Sequence, residues 1–148
     1  MQPPRPTPAP NAGVTDSDTR FLAEPRIGVL ITSRDDGRPL GVPVWFDWNG
    51  AAVEMFSAAD APKTRRLRRA PFASLLVTNR GGEPEHWVAF DGTVTISPEG
   101  GLALAERLAA RYWDLEQPAH AETLAGWRAH PEAFCRLTLT PELIRTGR

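Results

Sequence analysis

FLAEPRIGVLITSRDDGRPLGVPVWFDWNG, residues 21–50, carries two strands and two hairpin signals in one short run. Ile27, Val29 and Ile31 alternate with Gly28, Leu30 and Thr32, a period-two strand with little polarity on either face. The turn Asp35–Pro39 follows, and its Asp-Gly pair suits the positive backbone torsions of a tight hairpin. Leu40, Val42, Val44, Phe46 and Trp48 then share one face of a long strand, while Gly41, Pro43, Trp45 and Asp47 take the other. Asn49-Gly50 is a second hairpin signal and leads into a third strand, AAVEMFS.

The rest of the chain extends this pattern. Residues 1–15 are rich in proline and poor in large apolar groups, so a disordered tail is expected there. A single domain over 16–148 follows, opening on a short helix Asp16–Glu24 capped by Asp16 or Ser17. Downstream the spacing predicts a helix over Asp60–Arg69, a strand at 72–78 and a long strand at 86–96. Gly92 interrupts that long strand as a bulge or barrel corner would. Helices over EGGLALAERLAARYW and Ala119–His130, then a closing strand at 133–140, complete the reading. The expected fold is mainly β with helices, an antiparallel barrel of six strands.

Composition excludes several function classes. Seventeen basic against eighteen acidic residues create no global field for nucleic acid or a membrane surface. No run approaches the ~20 apolar residues of a membrane helix and no leader pattern opens the chain, so a cytoplasmic protein is expected. Cys135 is the only cysteine, read as a buried thiol, so neither an intrachain disulfide nor a cysteine metal cluster is available. His86, His120 and His130 show no metal-ligand spacing, and no metal site is assigned.

The order of these features resembles the pyridoxamine 5'-phosphate oxidase-like, FMN-binding split-barrel family. FLAEPRIGVLITSRDDGRPLGVPVWFDWNG is similar to the family's opening helix, strand, Asp-Gly-x-Pro hairpin and Pro-Val-Trp-Phe-like strand. MFSAADAPKTRRLRRAP resembles its lysine-containing segment after the third strand, and HWVAFDGTVTI with LAERLAARYW resembles its later strand and helix. Ala61 stands where many relatives have serine two residues before the lysine, and Arg66 where they have asparagine. The resemblance implies a six-stranded antiparallel split barrel that dimerises with its cofactor at the subunit interface. That cofactor is FMN or the deazaflavin coenzyme F-420, with haem in some members. An arginine-rich C-terminal segment of the true vitamin B6 oxidases has no counterpart here, so that particular activity is not expected.

A flavin brings its own two-electron chemistry, which leaves the protein to bind, orient and tune it. No catalytic side chain is therefore assigned, and His86 is the first to test as a proton donor. Lys63, the only lysine, and Arg66 lie three apart on a helix, a spacing that presents two cations and free N–H groups to a phosphate. The competing reading is a solvated basic face formed with Arg65, Arg68 and Arg69. Pro43, Val44 and Trp45 lie where proline breaks a regular ladder, which frees backbone for a ring edge or marks an ordinary edge strand. Ser57 is read as a phosphate donor or a plain surface serine. Trp87 is read as a cofactor wall, a dimer contact or peripheral packing. Tyr112 and Trp113 are assigned to core or interface. The resemblance implies a flavin- or deazaflavin-dependent oxidoreductase moving a hydride to or from a small organic molecule; the alternative is a non-catalytic flavin- or haem-binding protein of the same fold.

Overall fold

The computed structural model describes residue 3 and residues 13–148. Most of the expected tail therefore lies outside the described residues. Val14, at the end of that stretch, is partly buried against the core. Helix α1 (Asp16–Ala23) is capped by Thr15, not by Asp16 or Ser17. The Thr15 hydroxyl accepts the Asp18 N–H at 3.1 Å while the Asp18 carboxylate accepts the Thr15 N–H at 3.0 Å, a reciprocal capping box.

Seven strands form one antiparallel sheet: β1 (Gly28–Ser33), β2 (Pro39–Val44), β3 (Asp47–Trp48), β4 (Val53–Ala58), β5 (Phe72–Thr78), β6 (Trp87–Ser97) and β7 (Phe134–Gly147). Their order is β2-β1-β5-β6-β7-β4-β3, so β2 and β3 stand at opposite ends of the ladder. Only Trp45 and Phe46 separate those two ends in the chain. The sheet must therefore curl until its edges nearly meet, which is the split barrel. Leu30, Phe46, Met55, Leu75, Phe90 and Leu137 are fully buried inside it.

The count of seven rather than six arises because the expected long strand 40–48 breaks at Trp45–Phe46. Phe46 turns fully into the core, and its N–H leaves the ladder. The Tyr112 hydroxyl accepts that N–H at 3.3 Å and donates to the Arg26 carbonyl at 2.6 Å, so the break orphans no buried donor.

The closing strand also runs longer than expected, to Gly147. Pro141 cannot donate to a ladder. In the structure it sits opposite Gly92 at a bulge between Asp91 and Gly92, where the irregular pairing tolerates it. Helix α2 (Pro62–Arg69) follows β4, α3 (Gly101–Tyr112) follows β6, and α4 (Pro118–Arg128) leads back toward β7. No helix among the described residues is long and apolar enough to cross a membrane.

Candidate functional site

The split in the barrel is also a cavity. β2 pairs only with β1, and β3 pairs with β4 only at Val53 and Glu54, so the outer edge of β2 and the later part of β4 carry no ladder between them. Pro43, Val44 and Trp45 from one edge and Phe56, Ser57 and Ala58 from the other line a space of about 330 Å³. Lys63 of α2 and two tryptophans, Trp113 and Trp127, complete the lining. Five of the residues singled out in sequence, Pro43, Val44, Trp45, Ser57 and Lys63, thus meet at one place.

Aromatic packing holds the walls. Trp45 stacks on Tyr112 with ring centroids 5.1 Å apart and meets Trp113 edge-on at 4.7 Å. Trp113 is itself stacked on His120 at 4.4 Å. Trp127 reaches Phe56 and Trp113, each at 5.6 Å, and so brings α4 across the mouth. Such contacts fix ring orientations as well as burying area. Sequence reasoning missed Phe56 and Trp127 and gave Trp113 to core or interface, because no local spacing ties these residues to β2.

Lys63 is the only ionisable side chain on this lining. Among the described residues no carboxylate pairs with it, and burial lowers its pKa below the ordinary lysine value. The nearby Cys135 acts the other way, and the Arg66 charge, the smallest of the three effects, adds to the lowering. A half-buried ammonium without a counter-charge is an anion site by its chemistry.

Ser57 is buried at 3 % exposure, and its hydrogen is committed. Thr64 Oγ1 lies 2.8 Å from the Ala58 carbonyl oxygen and 2.9 Å from Ser57 Oγ. Two acceptor oxygens at the first distance repel unless a hydrogen stands between them, and threonine owns only one. Thr64 therefore donates to Ala58, and Ser57 donates to Thr64. Toward the cavity Ser57 presents lone pairs, which corrects the expectation of a phosphate donor: it suits an N–H or O–H of a ligand.

The remaining expected residues lie elsewhere. Arg66 lines a different opening and donates from Nε to Thr32 Oγ1 at 3.0 Å, so it does not share the cavity with Lys63. Trp87, at the start of β6, packs its indole over Gly147 and lines no part of the cavity.

His86 belongs to a third cluster, stacked on Phe21 with Nε2 2.7 Å from Asp18 Oδ1. Arg148 reaches the other oxygen of Asp18 at 2.7 Å. Burial alone would raise the Asp18 pKa, but hydrogen bonds from the Thr15 backbone, His86 and Arg148 outweigh it and hold it at about 2. A carboxyl depressed in the folded state adds stability above its unfolded pKa of 3.8, and loses it as the pH falls toward 2. The expected loss is about 2 kcal/mol. Urea midpoints recorded from pH 5 to pH 2 should fall less steeply for Asp18→Asn than for wild type. Glu83, held down to about 2 chiefly by Arg26, titrates in the same window, so Glu83→Gln is the parallel arm. An unchanged slope in Asp18→Asn would refute the assignment.

The family model for pyridoxamine 5'-phosphate oxidase matches residues 14–135. Among solved structures, one described as an F420 reductase is 23% identical, with a TM-score of 0.70 over 85% of this chain and 94% of that one. An FAD-binding protein from Mesorhizobium loti is 21% identical, with a TM-score of 0.57 over 86% and 89%. A heme binding protein from Mycobacterium smegmatis is 23% identical at a TM-score of 0.59, covering 97% of this chain but 55% of that one. At these identities the likeness is one of fold.

Proposed function

Because the chain belongs to the pyridoxamine 5'-phosphate oxidase family, we propose that it is a flavin- or deazaflavin-dependent oxidoreductase that moves a hydride between bound cofactor and a small organic substrate. The observation that carries this reading is Lys63, an ammonium without a carboxylate partner, at the edge of an aromatic-walled cavity. The donor set suits a phosphorylated tricyclic ring. Lys63 Nζ takes the phosphate, Trp45 and Trp113 give apolar walls that exclude water, and Ser57 Oγ accepts from a ring N–H. When bound, the ring supplies two-electron hydride chemistry. Both FMN and the deazaflavin meet these requirements.

The same reading includes a homodimer with the cofactor between subunits. A cavity of about 330 Å³ lies at the small end of the ~300–1,000 Å³ typical of ligand sites, so a second copy must wall the rest of so large a cofactor. Ile27, Val29, Phe72 and Leu143 also stand exposed, and pairing would cover them.

A non-catalytic carrier of flavin or haem is the second reading. It is favoured by the lack of any acid or base besides Lys63 on the cavity lining, and by the fold shared with a heme binding protein.

The test is titration of the purified protein with FMN and with the deazaflavin, following emission of the cavity tryptophans. Saturable quenching by one or both is expected, and turnover with a reductant and an acceptor separates enzyme from carrier. A protein that binds neither would end the proposal.

A further inference from the structure

Helix α4 (Pro118–Arg128) lies across the mouth of the Lys63 cavity, yet little ties it to the barrel. Of its eleven residues only Leu124 is buried, whereas α3 buries five of twelve. His120 and Trp127 are partly buried, and the other eight residues are exposed. His120, Leu124 and Trp127 stand at i, i+4 and i+7, so α4 rests on a single stripe of three side chains.

That stripe leans on the rim of the cavity. His120 stacks on Trp113 at 4.4 Å, with the two rings within 5° of parallel. Trp127 meets Trp113 and Phe56 at 5.6 Å each and Phe134 at 5.7 Å. Phe56 and Trp113 line the cavity themselves, so the seat of the helix is the opening it covers. Neither Leu124 nor Trp127 belongs to the apolar cluster that fills the barrel. Among the described residues one polar contact joins α4 to another helix or strand, Arg128 Nε to Glu106 of α3 at 3.0 Å. It is an exposed ion pair, of a kind that holds weakly.

The chain on either side of α4 is free to turn. Residues 114–117 lead into the helix and residues 129–130 lead out of it, and none of them is buried. Beyond these links the backbone is fixed. The Trp113 N–H donates to the Ala109 carbonyl at 2.8 Å, and the Ala133 carbonyl accepts the Ala59 N–H at 2.9 Å. Local opening costs least where few apolar contacts are buried and the flanking backbone is solvated. A swing of α4 breaks its three rim contacts and the exposed ion pair, and it leaves every strand pairing intact. Shut, the cavity holds about 330 Å³, and Trp127 is what a ring-shaped ligand meets on entry.

We propose that α4 is a lid over the Lys63 cavity, hinged at residues 114–117 and 129–130 and latched by Trp127, and that its opening admits the ligand. The proposal rests on the reading that this cavity takes a cofactor, but its first test needs no ligand.

Nitrogen-15 relaxation dispersion on the indole N–H signals of the five tryptophans supplies that test in the full chain. Without ligand, Trp113 and Trp127 should show exchange on the microsecond-to-millisecond scale of lid motion. Trp48, stacked on Phe90 in the barrel, should show none. In the second test, Trp127→Ala removes the latch, and stopped-flow quenching should show FMN associating at least roughly tenfold faster. Gly126→Ala touches none of the three rim contacts and should keep the wild-type rate within about twofold. Circular dichroism verifies the fold of both variants. A flat profile at Trp127, equal exchange at Trp48, or an association rate that does not rise in Trp127→Ala overturns the lid, whatever the protein binds. Exchange at Trp127 in a protein that binds neither FMN, the deazaflavin nor riboflavin supports the lid and ends the cofactor reading instead.

Discussion

Lys63→Ala should weaken the binding of FMN or the deazaflavin by roughly ten- to a hundredfold. The substitution removes one charge-assisted hydrogen bond of about 1.5–3 kcal/mol, and each 1.4 kcal/mol is tenfold in affinity. No second cation on the cavity lining can take over, since Lys63 is alone there. Riboflavin, which lacks the phosphate, should bind wild type and the Lys63 variant about equally, and that control separates charge loss from collapse of the cavity. Arg66→Ala should cost far less for FMN, because its guanidinium lines a different opening and is tied to Thr32. Equal losses at Lys63 and Arg66 would show one anion site spanning both openings, and the separation drawn between them would be wrong.

Gly92→Ala should destabilise the fold by about 3 kcal/mol or more, at the upper end of what overpacking costs. A Cβ at this position would overlap the carbonyl oxygen of Thr140 and crowd the backbone of Pro141. Backbone atoms in a paired strand cannot move aside as a side-chain tip can, so β7 would have to leave its register at the bulge. Gly126→Ala is the opposite case: it lies inside α4 with nothing within 4 Å of the added carbon. Alanine there should stabilise by about 0.5–1 kcal/mol, by restricting the unfolded chain and favouring helix. Denaturant midpoints of the two variants should move in opposite directions. A Gly92→Ala protein as stable as wild type would mean that the bulge does not require glycine.

Much of the barrel was legible because local rules act over short spans. The Asp-Gly and Asn-Gly pairs marked the hairpins, period-two runs marked β1 and β6, and Gly92 marked a bulge or barrel corner. Pro43, Val44, Trp45, Ser57 and Lys63 were singled out through the family resemblance together with Arg66 and Trp87, and the structure brings the first five, but not the last two, to one cavity. The break at Trp45–Phe46 was not legible, because period two continues unbroken through Trp48. What interrupts the strand is a core that takes Phe46 and a hydroxyl, Tyr112, sixty-six residues away that accepts its freed N–H.

The same distinction divides the chemistry of the site. A local pattern shows that Ser57 and Lys63 are polar groups beside a strand end. It does not show that Thr64 uses up the hydrogen of Ser57, which depends on how α2 folds back over β4. Nor does helical spacing alone decide what Lys63 and Arg66 face. Three residues apart they share a side of an isolated helix, yet the barrel edge takes one and the β1–β2 turn takes the other. The sequence by itself determined most of the strands, the turns and the residue types that border the cavity. The tertiary structure decided which of those residues meet, because burial, hydrogen-bond satisfaction and charge pairing are settled between elements far apart in the chain.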